Sequence, residues 1–251
     1  MYMRIVNLNI LPEKSGFFHT FYENNIIPEL SKIPGCLSAR LMQSAQNPEE
    51  YISMTFWENP EIAEDYNKGL FQTLFAQARP YLASSEEWQI HLSEDFTLDF
   101  EPPEDDPIVK SYPVMAAANQ ENSEKNGSKL MFMRIVAVKI QPGKLEEFRR
   151  LYTEEIIPAL RAVKGCRYAY LTDNFKEEHE IFSVTLWNSK EDVENYENSG
   201  LFDRLREKTK HTFSELFQWK MALEKESGKK MVTSDDMQIN YYSVITGKKF
   251  R

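Results

Sequence analysis

The chain has 251 residues, 41% hydrophobic and 27% charged, a globular composition long enough for two domains with cores of their own. Its formal charge of −9, without a basic face to neutralise phosphates, argues against nucleic-acid or anionic-membrane partners. No apolar run approaches the ~18 residues of a membrane span, and Met-Tyr-Met-Arg-Ile-Val enters a strand pattern without a secretory h-region, so the expected location is the cytoplasm.

In chain order, "MRIVNLNI" (3–10) is rich in Ile and Val and closes at Pro12, as a strand does. Phe18, Phe21, Tyr22, Ile26, Leu30 and Ile33 then fall on one helical face. Pro28 lies inside that helix and should kink it, and Gly35 should stop it in the left-handed conformation that glycine tolerates. A strand over Cys36–Gln43, a polar hairpin "SAQNPEE" and a strand over Tyr51–Trp57 follow. A second helical region begins near Pro60, breaks at Gly69 and continues through Leu70, Phe71, Leu74 and Phe75 to Leu82. A fourth strand is predicted from Trp88. The order is β-α-β-β-α-β, the ferredoxin-like arrangement.

The same text then returns. Residues 3–57 laid on 133–187 agree at 21 of 55 positions, including Met3-Arg4-Ile5-Val6 with Met133-Arg134-Ile135-Val136, and Trp57 with Trp187. Gly69-Leu70-Phe71 matches Gly200-Leu201-Phe202, and Trp88 matches Trp219. Late strands "SYPVM" (111–115) and "YYSVI" (241–245) also correspond, although their place in a sheet is open. The reading is a unit over 1–116, a polar linker over 117–130 and a second unit over 131–251. Cys36 and Cys166 occupy equivalent places after the turn glycines and read as small buried residues rather than a disulfide.

The third strand points to the assembly. Ile52, Met54 and Phe56 (Phe182, Val184 and Leu186 in the second unit) form an apolar face, expected beneath the helices. Tyr51, Ser53, Thr55 and Trp57 (Ile181, Ser183, Thr185 and Trp187) form the other face, small polar groups plus an indole, expected to be buried against a second sheet. The fold class expected is therefore α+β: two ferredoxin-like units packed sheet to sheet within one chain, with further homodimerisation open.

With the opening strand, the helix "F..Y....IIP.L....GC", the strand "S.T.W" and "Y…GLF" before the last helix, each copy resembles the antibiotic biosynthesis monooxygenase (ABM) family of dimeric α+β barrels. The resemblance implies a hydrophobic cavity in each unit, between the helices and the concave side of the sheet, for a small hydrophobic or aromatic molecule. It further implies oxidation of a phenol- or quinol-like substrate without a cofactor. The alternatives are a non-catalytic, stress-associated ligand-binding module and a haem-degrading protein.

Asn7, Tyr66 and Tyr196 are the catalytic candidates: a strand asparagine able to hydrogen-bond a substrate oxygen, and the aromatic that the family sets at the pocket mouth. Trp57, Phe71, Phe75, Trp187, Phe202 and Arg206 are the substrate-binding candidates. No metal site and no cofactor are expected, since the chain lacks a phosphate-cradling glycine loop, a Ser/His/Asp set and His/Cys metal spacing. Asn7 and Asn9 face Ala137 and Lys139 in the repeat, so the two cavities need not work equally. Of the histidines, His19 and His179 read as solvated, while His91 and His211 each occur in one copy only. Where the haem-degrading branch places its iron-binding histidine, this chain has Phe75 or Arg206.

Overall fold

The computed structural model describes residues 1–83, 89–92, 98–101, 109–119, 131–173, 180–229 and 237–250. In the first unit, β1 (Tyr2–Asn9) leads to α1 (Ser15–Phe21) and α2 (Ile27–Ser31), then β2 (Cys36–Ser44) and β3 (Glu50–Trp57). There follow α3 (Pro60–Lys68), α4 (Leu70–Ala78), a hairpin of β4 (Gln89–Leu92) and β5 (Leu98–Glu101), and β6 (Val109–Asn119). The second unit runs β7 (Phe132–Lys139), α5 (Leu145–Leu151), α6 (Ile157–Ala162), β8 (Cys166–Asp173) and β9 (Glu180–Trp187). It ends with α7 (Lys190–Asn198), α8 (Leu201–Thr209), α9 (Glu215–Ser227) and β10 (Gln238–Lys249). Among the described residues no helix is long and apolar enough to cross a membrane.

The strands form one closed antiparallel barrel in the order β1-β3-β2-β10-β7-β9-β8-β6. β6 pairs with β1 of its own unit and β8 of the other, and β10 pairs with β7 and β2. The late strands are thus the fourth strands of both ferredoxin-like units, and each bridges the halves. Equivalent registers match their spelling, since Tyr112 opposes Met3 as Tyr242 opposes Met133. The strand expected from Trp88 does form over Gln89–Leu92, yet it pairs only with β5, outside the barrel. Trp88 lies outside the described residues, and its counterpart Trp219 sits on a helix and is exposed. Strand β6 also carries the first unit through Asn119, into the stretch read as linker.

The barrel interior is a dry core drawn from both halves. Met3, Ile5, Met42, Ile52, Met54 and Phe56 pack against Met133, Ile135, Tyr170, Val184, Leu186 and Val244, with the Phe56 and Tyr170 rings 4.7 Å apart across the units. This inverts the expected faces of the third strand. The Ile52/Met54/Phe56 face looks inward, whereas Tyr51 and Trp57 join the cluster beneath the first unit's helices. The reason is physical: both faces are buried, so the strand's fully apolar one goes to the interior, where its neighbours are mostly apolar. The mixed one goes beneath helices, whose side chains supply partners.

Local chemistry shapes the helices. Pro28 cannot donate to a helical ladder, and its ring crowds the carbonyl four residues back. The chain answers with a π-helical stretch, Tyr22–Ile26, in which the Ile27 N–H reaches back five residues to the Tyr22 carbonyl. Pro158 repeats the device over Tyr152–Ile156. The helices stop earlier than expected from the glycines, at Ser31 and Ala162; Gly35 and Gly165 lie in the following turn at φ +88°, directly before the strand, and a Cβ at either would run into Ile62 or Asp192. Asn59 and Ser189 cap the third and seventh helices by accepting from the backbone N–H three residues on, at 3.0 and 3.2 Å.

The shared core gives a direct stability test. Leu186 is fully buried inside the barrel, so Leu186→Ala should lower stability by about 2–5 kcal/mol, read as a fall in the urea midpoint at unchanged slope. A change below about 0.5 kcal/mol would place this side chain on the surface.

Candidate functional site

Each unit holds a cavity between its helices and the outer face of the barrel, rather than on the concave side. In the second unit Arg134, Val136 and Val138 of β7 and Ser183 and Thr185 of β9 form the floor. Phe148, Tyr152 and Ile156 form one wall, and Tyr196, Phe202, Leu205, Arg206 and Thr209 the roof. The cavity measures about 60 Å³. The first unit's counterpart measures about 30 Å³, with Arg4, Ser53, Tyr22, Tyr66, Phe71, Leu74, Phe75 and Ala78 in corresponding places. The narrowing has a cause: Phe75 and Ala78 stand where the second unit has Arg206 and Thr209, so a ring fills what is polar space next door.

Four polar groups recur in both cavities. Tyr22 shares a 2.8 Å hydrogen bond with Ser53, as does Tyr152 with Ser183. Arg4 and Arg134 are almost wholly buried, at 2% and 3% exposure. The Arg4 Cζ lies 4.0 Å from the Phe71 ring centre and 5.2 Å from that of Tyr66; Arg134 lies 4.3 Å from Phe202 and 5.9 Å from Tyr196. Their hydrogen bonds differ: the Arg4 Nη2 donates to the neutral Asn67 Oδ1 at 2.9 Å, whereas the Arg134 Nε pairs with the Glu197 carboxylate at 2.7 Å. Arg4 Nε and Arg134 Nη2 are buried without a hydrogen-bond partner.

Burial pushes the Tyr66 and Tyr196 phenols up to about 12, although the neighbouring Arg4 and Arg134 pull the other way. Burial raises Tyr22 and Tyr152 as well, outweighing their serine hydrogen bonds. At neutral pH all four phenols are therefore uncharged donors, not bases. Among the described residues no Asp, Glu, His or Cys lines either cavity. The arrangement can exclude water from an oxygen-bearing ring and stabilise negative charge on it; among the described residues it offers no carboxylate or imidazole base.

The family model for antibiotic biosynthesis monooxygenases matches residues 1–87 and 131–208. The chain belongs to this family. No curated protein matches it, but solved structures of similar fold do. A candidate monooxygenase from Fusobacterium nucleatum superposes with a TM-score of 0.68 at 9% identity, covering 99% of this chain and 94% of that one. A second, from Lactobacillus acidophilus, gives 0.68 at 10% identity and covers 99% and 96%. An anthrone oxidase-like protein gives 0.56 at 14% identity and covers 99% and 93%. These likenesses extend the shared fold over the whole tandem chain.

In this ABM protein the expected site residues separate into groups. Tyr66, Phe71 and Phe75 line the first cavity, and Tyr196, Phe202 and Arg206 the second. Trp57 and Trp187 line neither: each is fully buried, donates through Nε1 to Thr55 or Thr185 at 2.8 Å, and backs the roof tyrosine at 5.0 or 5.1 Å between rings. Asn7 is exposed and alternates with the cavity-lining Arg4, Val6 and Leu8, so it sits on the opposite face of the strand. His19 is not solvated but half-buried, with its Nε2 3.0 Å from the Tyr51 hydroxyl; burial lowers its pKa, and it lines no cavity. His211 is a surface residue 3.0 Å from Glu147. His179 and the side chain of His91 fall outside the described residues. The site residues missed from sequence are Arg4, Arg134, Tyr22 and Tyr152; their signal was recurrence of a cation inside an apolar strand and of a phenol just before the helix proline.

Burial of these phenols also fixes the sign of a pH effect. Neutral Tyr196 belongs to the folded state, so its contribution is intact below the ordinary phenol value near 10 and lost as pH rises through about 12. Urea midpoints should fall between those limits, and Tyr196→Phe should flatten the fall. An identical slope in the variant would show that Tyr196 ionises freely.

Proposed function

We propose that this protein is a cofactor-independent monooxygenase that oxidises a small phenol- or quinol-like molecule in the cavity of the second unit, while the first unit's narrower cavity serves mainly to hold the fold. What carries the reading is Arg134, a buried cation on a floor of valines and hydroxyl side chains, with a nitrogen still unpartnered.

A substrate that reduces oxygen by itself must first become electron-rich, and for a phenol this means losing its proton. The Arg134 guanidinium favours the ionised form, but its pairing with Glu197 and the burial that keeps Tyr196 protonated restrict this help to substrates more acidic than tyrosine. The neutral Tyr152 and Tyr196 hydroxyls supply hydrogen bonds that keep the ring oriented. The substrate then provides all four electrons: a phenol and one O2 give the quinone and one water. Phe202, Leu205 and Phe213 line the site against solvent, which otherwise competes for the reactive intermediate.

At about 60 Å³ the cavity is smaller than the ~150 Å³ that holds a benzene ring. Substrate entry therefore requires α8 to move outward, with the partly exposed Phe202 and Arg206 at its inner edge. The half-sized cavity of the first unit, plugged by Phe75, favours a structural role there.

With a panel of hydroquinones, anthrones and naphthols, wild-type protein should consume oxygen and yield products retaining one atom of ¹⁸O2. Arg134→Met should lower kcat/KM by roughly a hundredfold, about 2.7 kcal/mol, and Tyr66→Phe in the first unit should leave it within about twofold. No oxygen uptake with any compound, or equal activity in Arg134→Met, would remove this reading.

A further inference from the structure

The second cavity differs from the first chiefly by a second cation. Arg206 lines it, and its Nε is buried without a partner, as is the Nη2 of Arg134. Both guanidiniums lie within 6 Å of the Phe202 ring, at 4.3 and 5.9 Å from its centre. Each is also paired with a carboxylate: Arg134 with Glu197 at 2.7 Å and the partly exposed Arg206 with Asp203 at 3.0 Å. The pattern is two guanidiniums lining one cavity, each paired once and each keeping a buried nitrogen without a partner. An unmet buried donor is costly, and two in a single cavity call for an acceptor that can meet both. A carboxylate or other oxyanion does so with charge-assisted bonds, the geometry that guanidinium favours.

A second line of argument comes from proton balance. Among the described residues the lining holds no carboxylate or imidazole to take a proton. Tyr196 serves as an internal gauge, because it stays protonated beside Arg134: burial outweighs the cation. A simple phenol of tyrosine-like acidity would behave the same way, and only a stronger acid brings negative charge into the site.

We infer that the second unit's cavity is an oxyanion site, selecting planar acids that arrive already ionised, such as aryl carboxylates or acidic enols and phenols, and holding the oxyanion between Arg134 and Arg206. The first unit's cavity lacks the second guanidinium, because Phe75 stands in its place. This deepens the monooxygenase reading and rests on its choice of cavity. The ring attached to the oxyanion needs more room than the cavity of about 60 Å³ offers and must displace Phe202.

The test is binding without turnover. Salicylate and its neutral isostere salicylamide are titrated into the full chain at pH 7 by calorimetry, with the side-chain Nε–H signal of Arg206 followed by NMR. Salicylate should bind roughly tenfold more tightly and shift that signal. Arg206→Gln should bring the two affinities within about threefold at unchanged melting temperature, and Arg206→Lys should recover part of the difference. Arg79→Gln, on the first unit, should preserve the full preference. Equal affinities, no binding of salicylate up to about 10 mM, or a preference that survives Arg206→Gln would each overturn the inference. Intact anion preference without oxygen consumption would instead remove the monooxygenase reading alone.

Discussion

An open antiparallel sheet has two edges whose N–H and C=O groups must be paired, covered or left to recruit another chain. In this protein four edges, two from each half, are satisfied by pairing with one another. β6 stays paired with β1 of its own unit and lies against β8 of the other, and β10 stays paired with β7 and lies against β2. The closed barrel that results has no free edge, and it brings the two inner faces within packing distance. The methionines, isoleucines and aromatics of that interior gain burial only because both halves contribute. A homodimer reaches the same state by binding; here the linker between repeats makes the association intramolecular.

That closure decides where chemistry can occur. The interior is side-chain-filled and mostly apolar, with Arg40 bonded to Ser38 and set over the Tyr168 ring, and other polar side chains of the sheet lie on its outer face, beneath the helices. There Ser53 and Ser183 meet phenols from the π-helical turns, and Arg4 and Arg134 meet the aromatic rings of the roof. The helix prolines, the π turns and the buried tyrosines belong to one device: a proline that cannot fit an α-helical ladder widens the turn whose first residue is the cavity phenol. Duplication then let the copies diverge. One cavity is plugged by Phe75, and the other holds a second guanidinium, Arg206.

Much of this architecture was legible in the text of the chain. The repeat, the element order and the burial of both sheet faces follow from periodicity and from the match of Met3–Trp57 with Met133–Trp187. Which face turns inward was not legible, because a period of two marks alternation but not direction when neither side meets water. The fourth strand was misplaced since the copies part company after the roof helix: one continues as the β4–β5 hairpin, the other as α9. The expected aromatics of the roof helices do reach the cavities, because "GLF" fixes the start of the helix that carries them. Arg4 and Arg134 escaped notice for a simple reason. A single cation in an apolar strand reads as an edge or a snorkelling side chain, and only the fold shows that it has nowhere to snorkel.

Edge-to-edge pairing of the two halves within one chain is the central claim, and a cross-strand bond tests it most directly. Gln43 of β2 and Ser243 of β10 face each other in the ladder that joins the two units. Cysteines at both positions, with buried Cys36 and Cys166 left in place, should oxidise to an intramolecular disulfide in the native protein, seen as a monomer of altered mobility that reducing agent reverses. A bond that forms only between two chains, or none at all while the protein remains folded, would show that β10 does not close this barrel.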